Sequence, residues 1–293
     1  MAQTEALLIA DCLGAINSVV LGKSRVVELA TATLFARGSI LIEDRPGLGK
    51  TTLAKTLSKV FGLSFHRIQC TNDLLPMDIL GRLDYATKEK PRLIEGPIFA
   101  SLVILDELNR APARTQSAFL QAMEEGEVTL EGATYALPRP QMFIATQNPA
   151  DQVGTSFLPE SELDRFTIHL QIGYPDNESE KSILRGLPQG KLSDIKEILN
   201  KKQVLDLQNQ ASTVKTSEMM LDLVIRFLNH ARAQGAYLSP RVGRDLVRVS
   251  QALAFVRGRD HVIPDDLKFC MPAVIGHRTR VADGIIQSFP FEV

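Results

Sequence analysis

The segment EDRPGLGKTT carries the residue types and spacing of a loop that binds phosphate groups. Such a loop has the pattern Gly, four residues, Gly-Lys and then Ser or Thr. Gly49, Lys50 and Thr51 match the end of this pattern. Backbone N–H groups of residues 47–51 would point at phosphate oxygens at the start of a helix. Lys50 would reach the β and γ phosphates of a nucleotide, and the Thr51 hydroxyl would hold Mg²⁺. The alternative, a chance Gly-Lys-Thr, is disfavoured by the apolar run before the loop and the helical pattern after it.

Asp44 stands where the general pattern has its first Gly. That Gly mainly serves the turn, whereas residues 47–51 supply the amides nearest the phosphates. Because Asp in a turn often bonds to nearby backbone amides, we expect Asp44 to face away from the phosphates and the loop to be competent. For Arg45 we have no physical account beyond solvent exposure near the nucleotide edge.

Asp106 and Glu107 follow the apolar run SLVIL. A buried strand that ends in two acids brings them to the carboxyl edge of the sheet, where open α/β folds bind ligands. Asp106 could hold Mg²⁺ through water, and Glu107 could orient and polarise an attacking water. Solvated acids at a strand end are the alternative. Their position about fifty residues after the phosphate loop makes that alternative the weaker one.

Asn148 follows another apolar run, MFIATQ, and is therefore expected at a strand end as well. If this strand neighbours the strand before the phosphate loop, the Asn148 amide can touch the γ-phosphate or the attacking water. An isolated Asn before Pro is more often a turn residue. The functional interpretation rests on the order of these segments along the chain.

Arg165 lies in the segment PESELDRF, with Leu163 and Phe166 expected to pack around its exposed side chain. An arginine that neutralises the γ-phosphate of a neighbouring subunit's nucleotide contributes roughly 10³–10⁵ in rate. The alternative is an Asp164–Arg165 surface pair, which contributes only about 0–1 kcal/mol. Local sequence chemistry alone favours the surface pair.

The first half of the chain alternates apolar runs with helical patterns, which predicts an α/β fold with a parallel sheet covered on both faces. Strands are predicted at residues 39–44, 64–70, 101–107, 142–148 and 166–172. An amphipathic helix is predicted over residues 115–126, with Gly126 as its C-cap. Residues 127–137 alternate around Gly132 and predict a hairpin.

The sequence pattern changes near Tyr174. Tyr174-Pro175 breaks the preceding strand, and Asp176 or Asn177 can cap a new helix. We therefore place an α/β domain at residues 1–174 and a small helical domain at residues 175–293. Two apolar stripes support the helical part: Met220, Leu221, Val224, Ile225 and Leu228, then Leu246, Val249 and Leu253. Another helix is predicted to start at Pro264, Asp265 and Asp266.

Composition excludes several classes of protein. The formal net charge is -1, from 33 basic and 34 acidic residues, so specific nucleic-acid binding has no electrostatic support. The first residues lack a basic leader, and no apolar run is long enough to span a bilayer. Three widely spaced cysteines, Cys12, Cys70 and Cys270, predict reduced thiols in a cytoplasmic protein without a metal site.

Four ordered segments together carry a family resemblance: GLGKTT, LVILDELNRAPARTQSAFLQAMEEGEVT, FIATQNP and LPESELDRF. With these the chain resembles the MoxR family of AAA+ ATPases, and DELNRAP and QAMEE are highly specific to that group. The similarity covers nearly the whole chain, extending to VVLGKSRVVELA, RIQCTNDLLPMDILGRL, SPR and VRGRDHVIPDDL. The resemblance implies an AAA+ core followed by an all-helical lid, assembled as a homo-oligomeric ring, usually a hexamer, with ATP between subunits.

The resemblance also implies roles for individual residues, with ATP and Mg²⁺ as ligands. The nucleotide would be held by Gly22 near the adenine, by Pro46, Gly47, Leu48, Gly49, Lys50, Thr51 and Thr52, by Asp106 and by Arg241. Thr51 and Asp106 would hold the metal. Hydrolysis would use Lys50, Glu107 of Walker B, Asn148 as sensor 1, and Arg165 as an arginine finger on a neighbour's ATP. Arg241 is the sensor 2 candidate, and its action within or between subunits stays open.

Two insertions are implied as well. Residues 80–99 have short apolar stretches around the polar ATKEKP, consistent with a hairpin inside the second helix of the core. Residues 127–137 would be the hairpin before sensor 1. Both would face the pore or the client protein of a ring, although they could simply cover the core. The sequence has no aromatic-hydrophobic-Gly pore loop, so processive threading of a substrate is not supported.

The resulting functional hypothesis is an ATP-hydrolysing chaperone that remodels or activates partner proteins. The resemblance suggests partners with von Willebrand factor A-like domains. Two alternatives stay open: the ATPase motor of a metal-chelatase-like or DNA-linked complex, and a nucleotide-gated scaffold with negligible turnover. A basic surface track would favour the DNA motor, and a turnover assay would identify the scaffold.

Overall fold

A computed structural model describes residues 3–85, 91–148, 158–185, 190–279 and 282–291. The α/β part contains α1 (Gln3–Val19), α2 (Ser24–Phe35), β1 (Ile40–Glu43), α3 (Lys50–Val60), β2 (Phe65–Gln69), α4 (Pro76–Leu80), β3 (Gly81–Asp84), β4 (Arg92–Glu95), β5 (Leu102–Asp106), α5 (Ala113–Glu125), β6 (Glu127–Leu130), β7 (Ala133–Ala136), β8 (Met142–Gln147), α6 (Glu160–Leu163) and β9 (Ile168–Leu170). The helical part contains α7 (Asn177–Leu184), α8 (Lys201–Ala211), α9 (Glu218–Ala233), α10 (Pro240–Val256), α11 (Pro264–Ile275) and α12 (Ala282–Ser288). Among these described helices, none is long and apolar enough to cross a bilayer.

The central sheet has five strands in the order β2-β5-β8-β1-β9, and every neighbouring pair is parallel. The predicted α/β fold with a parallel sheet is thereby confirmed. Since β1, β5 and β8 are adjacent, the segments that follow them meet at one carboxyl edge. The residues that precede β8, β1 and β9 meet at the opposite, amino-terminal edge.

The central strands β1, β5 and β8 are buried on both faces, which explains why they are apolar runs in the sequence, whereas the edge strand β2 is mostly exposed. Along β5, Leu102 and Ile104 belong to one buried cluster, while Val103 and Leu105 belong to the other. The first cluster continues from the sheet through α1, α2 and α3 into α9, α10 and α11. This cluster contains residues from both sides of position 174/175. The domain boundary proposed there therefore stays a prediction.

The two predicted insertions both contain antiparallel hairpins. Strands β3 and β4 pair from Gly81 opposite Glu95 to Asp84 opposite Arg92. The connecting residues 86–90, which include most of ATKEKP, lie outside the described residues. Strands β6 and β7 are joined by a two-residue turn, Glu131-Gly132, in which both residues have positive φ, 49° and 84° respectively. The Tyr85 hydroxyl donates to the Glu131 carboxylate, so the two hairpins touch.

In the helical part, α7 and α11 begin where their capping signals predicted. Asp176 accepts a hydrogen bond from the Ser179 N–H at 2.8 Å, as an N-cap does. The predicted stripe of α9 is partly wrong, because the Ile225 side chain is 55% exposed. The buried positions are Met220, Leu223, Val224, Phe227, Leu228 and Ala231. Position 225 lies one residue beyond the buried face, a rotation of about 100°.

All three cysteines are free and buried. Burial raises the pKa of each thiol to about 12, with nearby carboxylates such as Asp106 beside Cys70 adding to the shift. A thiol with such a pKa carries almost no thiolate at neutral pH and is a weak nucleophile. These cysteines therefore act as small apolar core residues.

Arg278 connects the helical part to the α/β part. Its side chain is 2% exposed and forms ion pairs with Asp164 (Nε–Oδ1 2.9 Å) and with Asp245 of α10 (Nη2–Oδ2 2.6 Å). It also donates to the backbone carbonyl of Phe166 at 2.8 Å. Burial raises the pKa of Asp245, and the Arg278 guanidinium opposes that shift. One buried guanidinium therefore satisfies two carboxylates from different parts of the chain.

Replacing Arg278 with Ala should lower the free energy of unfolding by about 3–5 kcal/mol, because it leaves the Asp245 charge buried without its partner. Urea unfolding followed by circular dichroism measures this loss. Arg244→Ala is the matched control, since Arg244 is an exposed arginine on α10 and its removal should change stability by less than about 0.5 kcal/mol. An equal loss of unfolding free energy in the two variants would contradict the conclusion that Arg278 stabilises the fold through its two ion pairs.

Candidate active site

The phosphate-loop candidate connects the end of β1 at Glu43 to the start of α3 at Lys50. Gly47 and Gly49 both have φ of 87°, a left-handed conformation that other residues adopt with strain. An added Cβ at either position would meet no atom within 4 Å. Glycine is therefore required by the backbone conformation, while the space above the loop stays open for a ligand at the N-terminus of α3.

The Asp44 carboxylate is bonded to backbone amides. Its Oδ1 accepts from the N–H of Arg45 at 3.0 Å, and its Oδ2 accepts from the N–H of Gly173 at 2.6 Å. This agrees with the expectation that Asp44 bonds to a loop amide, and it adds a second bond to the segment that leads into the helical part. Lys50 Nζ donates to the Asp44 backbone carbonyl at 2.6 Å. The Asp44 side chain therefore holds the loop in place through its bonds to the backbone of Arg45 and Gly173.

Asp106 ends β5 with its side chain buried, at 6% exposure for the residue. Arg67 of β2 pairs with it (Nε–Oδ2 2.6 Å), and the Thr146 hydroxyl donates to Oδ1 at 3.2 Å. A buried carboxylate without such partners would be costly. Arg67 and Thr146 therefore hold the Asp106 carboxylate in a fixed orientation beside the loop.

Glu107 has φ of 58° and ψ of 50°, a left-handed conformation that is rare for a residue with a side chain. Such strain costs on the order of 1–3 kcal/mol and concentrates at functional sites. The Glu107 N–H donates to the Thr146 hydroxyl at 3.0 Å. Its Oε2 contacts Gln69 Nε2 at 2.9 Å and Arg110 Nε at 3.2 Å. Gln69 and Arg110 thus hold the Glu107 carboxylate in place.

These groups converge on a single cavity of about 370 Å³ at the carboxyl edge of the sheet. The predicted residues that line it are Pro46, Gly47, Gly49, Lys50, Thr51, Thr52, Asp106, Glu107 and Asn148. Leu48 belongs to the same loop without lining the cavity. Burial lowers the pKa of Lys50, and the nearby carboxylates, Asp44 foremost, oppose the shift.

Three further residues line the same cavity and were missed in the sequence: Arg67, Gln69 and Thr146. Arg67 and Gln69 alternate along β2 and so share one face of the strand. Gln69 lies opposite Asp106 in the strand register, which brings the β2 side chains to the acids. The spacing of Arg67 and Gln69 in HRIQ indicates that their side chains share a face, but it places them at the acids only when the strand order is also known.

The donor chemistry of the cavity fits a magnesium ion. The Thr51 hydroxyl and the Asp106 carboxylate both line it, and Mg²⁺ prefers oxygen ligands while retaining several waters. A triphosphate would supply further oxygens. The same cavity offers Lys50 and the loop amides for the phosphate charge.

Arg165 and Arg241 lie elsewhere, and neither lines the phosphate-loop cavity. Both contact Glu124 at the end of α5, with Arg165 Nε 3.5 Å from Oε2 and Arg241 paired to Oε1. Both also line a groove of about 650 Å³ with Ser39 and Thr167, which lie just before β1 and β9. The two arginines are therefore at the amino-terminal edge, across the sheet from the phosphate loop.

The local interpretation of Arg165 as the partner of Asp164 is wrong. Asp164 pairs instead with the buried Arg278. The Arg165 side chain is 32% exposed, less than expected, because Glu124 holds it. As predicted, Phe166 is fully buried. Long-range partners therefore replace the adjacent-residue pair.

Gly22 lies against the first turn of α7. It has φ of 68°, and an added Cβ would lie 2.5 Å from Asp176 Oδ2 and 2.8 Å from Ser179 Oγ. Only glycine permits this approach of the N-terminal segment to the helical part. Gly22 is not among the residues lining the phosphate-loop cavity, and its role near an adenine stays a prediction.

Two family models match the chain. The model for the ATPase family associated with various cellular activities (AAA) matches residues 39–168. This stretch contains the phosphate loop, both acids, Asn148 and Arg165. The model for the AAA lid domain matches residues 228–288, which contain Arg241.

Three similar proteins align with at least 90% of this chain. YeaC of Bacillus subtilis (strain 168) is 37% identical over 268 residues, spanning 90% of this chain and 84% of YeaC. The chaperone MoxR1 of Mycobacterium tuberculosis is 35% identical over 280 residues, spanning 90% of this chain and 73% of MoxR1. A crystal structure from Cytophaga hutchinsonii has a TM-score of 0.85 and 32% identity, covering 98% of this chain and 96% of that one.

Proposed function

This chain belongs to the MoxR family of AAA+ ATPases, and on that premise we propose that it binds ATP with Mg²⁺ and hydrolyses it to ADP and phosphate. One observation carries the proposal. The phosphate loop, both acids and Asn148 line a single cavity although they come from three separate segments of the chain. Acids that merely ended a strand in solvent would have no reason to share a cavity with the glycine loop and Asn148.

Binding is assigned to the loop and to Lys50. The N–H groups at the start of α3 would bind phosphate oxygens with the helix dipole in their favour. Thr51 and Asp106 would hold Mg²⁺, which supplies positive charge against the β and γ phosphates. Lys50 would exchange its bond to the Asp44 carbonyl for phosphate oxygens.

Glu107 is proposed to orient and polarise the attacking water. Gln69 and Arg110 contact its carboxylate and would fix the direction in which it points. The Asn148 amide, in the same cavity, would contact the γ-phosphate or the water. All of these groups come from the subunit that holds the nucleotide.

Arg165 and Arg241 are proposed to act on the nucleotide of a neighbouring copy. The argument is that they line a groove at the edge of the sheet opposite the phosphate loop. A contact between two different surfaces of identical chains is head-to-tail and generates a ring when the rotation closes. We propose a homo-oligomeric ring, with six copies as in the family, in which both arginines act between subunits.

The cellular role is proposed to be that of a cytoplasmic chaperone for partner proteins with von Willebrand factor A-like domains. MoxR1, a 35% identical relative, carries the name chaperone. The hairpins β3–β4 and β6–β7 are joined through Tyr85 and Glu131 and offer a surface for a client. Affinity capture with a Glu107→Gln chain in the presence of ATP should retain such a client. A turnover assay with and without the client tests the alternative, since a nucleotide-gated scaffold would show no client-stimulated hydrolysis.

Replacing Lys50 with Ala should weaken ATP binding at least tenfold, because a charge-assisted bond to phosphate is lost. Titration calorimetry with ATP and Mg²⁺ measures the affinity, and phosphate release measures turnover. Lys55→Ala is the matched control, because Lys55 is an exposed lysine on the same helix. If both variants bind ATP as the unchanged protein does, the cavity around Lys50 is not the nucleotide site.

A further inference from the structure

Glu124 joins the two arginines that lie away from the phosphate loop. It stands in the last turn of α5, and each of its carboxylate oxygens faces a different guanidinium. Oε2 lies 3.5 Å from Arg165 Nε, and Oε1 accepts from Arg241 Nη2. Arg165 comes from the α/β part and Arg241 from the first turn of α10. One carboxylate therefore fixes the relative position of groups from both parts of the chain.

Two guanidinium groups at one place repel each other unless an anion lies between them. Arginine side chains also have large rotamer freedom, so two of them point in a common direction only when something holds them. Glu124 does both, since its single carboxylate offsets the repulsion and contacts both side chains. Its own side chain is 38% exposed, so the cluster is open to an incoming ligand.

The surroundings of this cluster favour an anion. The same groove is lined by further cationic residues, Arg37, Arg139, Lys202, Arg244 and Arg248. Its acids besides Glu124 are Asp206 and Asp245, and Asp245 is already paired with Arg278. Glu124 contacts one nitrogen of each guanidinium, Arg165 Nε and Arg241 Nη2. A guanidinium has five N–H donors, so Arg165 and Arg241 both keep donors for a phosphate group while Glu124 holds them.

We propose that Glu124 is a positioning residue, which holds Arg165 and Arg241 side by side so that they meet the γ-phosphate of a neighbouring copy's nucleotide. This inference rests on the proposed function, in which both arginines act between subunits. Glu124 itself touches neither nucleotide nor water, and it acts only through the two arginines.

Glu124→Gln should lower kcat for ATP hydrolysis about 10- to 100-fold, the scale of a misplacement of about 1 Å. The KM for ATP should change by less than about threefold, because the phosphate loop of the neighbouring copy still binds the nucleotide. Glu125→Gln is the matched control: Glu125 is the next residue on α5 and accepts from Gln121 at 3.0 Å. The control should keep both parameters, and both variants should melt within a few degrees of the unchanged protein.

A mixing experiment separates positioning from a purely structural role. Rings that combine Glu124→Gln and Glu107→Gln chains contain interfaces with an intact Glu107 on one side and a correctly held arginine pair on the other. Their turnover should exceed the mean of the two parent variants. Arg165→Ala mixed with Glu107→Gln serves as the reference, because it tests action between subunits without Glu124.

Three results would overturn the inference: an unchanged kcat for Glu124→Gln, a lowered melting temperature that accounts for the loss, or a mixture that only equals the parental mean. If the Arg165→Ala reference mixture gains activity while the Glu124→Gln mixture does not, only the positioning role fails. If neither mixture gains activity, the proposed action between subunits fails, and the role of Glu124 fails with it.

Discussion

Replacing Glu107 with Gln should leave ATP binding intact and slow hydrolysis by about 10²–10⁴-fold, the usual contribution of a positioned proton acceptor. The amide has the size of the carboxylate and can still accept from Gln69 and Arg110 through its oxygen. It lacks the negative charge that polarises the attacking water. Nucleotide affinity is measured by titration calorimetry in the presence of Mg²⁺, and turnover by phosphate release from the assembled protein.

Asp106→Asn gives a matched comparison, since it changes the adjacent carboxylate in the same way. Asp106 is assigned to Mg²⁺, so its change should weaken Mg²⁺-dependent ATP binding as well as turnover. The two neutral substitutions should therefore separate, with binding retained in one and reduced in the other. Wild-type turnover in Glu107→Gln would remove the assignment of Glu107.

The geometry around Glu107 explains why it and Asp106 can differ although they are consecutive. Asp106 continues the strand and stays buried between Arg67 and Thr146. Glu107 enters a left-handed conformation, and its side chain is 27% exposed against 9% for that of Asp106. A strand that simply ended in solvent would need no such strain. The change of backbone conformation between the two residues is thus what gives two carboxylates separate tasks.

The sheet and the phosphate loop could be predicted because their signals are local. Each central strand is a short apolar run buried on both faces, as residues 102–106 illustrate. The loop depends on glycines whose positive φ only that residue type adopts freely, at Gly47 and Gly49. The order of loop, acids and Asn along the chain then indicated one shared edge, and all three line one cavity.

The residues that hold the acids could not be predicted from local pattern. Gln69 meets Glu107 across 38 residues of sequence, and Arg67 meets Asp106 across 39. Both contacts require the strand order and register, which periodicity alone does not give. The partner of Arg165 was missed for the same reason, because Glu124 is brought to it by the return of α5 across the sheet. On α9, apolar residues also lie beside the buried face. The sequence pattern therefore wrongly placed the exposed Ile225 on that face.

Replacing Arg165 with Ala should reduce turnover by about 10³–10⁵-fold, the largest effect expected for any single side chain here. The reason is that the guanidinium would neutralise charge that develops on the γ-phosphate during transfer. ATP affinity should be almost unchanged, since the loop and Lys50 bind the nucleotide in the neighbouring copy. Arg165→Lys should recover little activity, because an ammonium group cannot present two parallel hydrogen bonds.

The position of Arg165 makes a stronger test possible than the loss of activity itself. If Arg165 served the nucleotide of its own chain, a mixture of Arg165→Ala and Glu107→Gln would contain only inactive chains and show no turnover. In a head-to-tail ring, a site is complete when an Arg165→Ala chain supplies Glu107 and its neighbour supplies the arginine. With random one-to-one mixing this occurs at about a quarter of interfaces, so about a quarter of unmixed wild-type turnover should return. Since each variant alone has lost several orders of magnitude, such a recovery is unmistakable, and its absence in mixed rings would assign Arg165 to its own subunit or to no nucleotide at all.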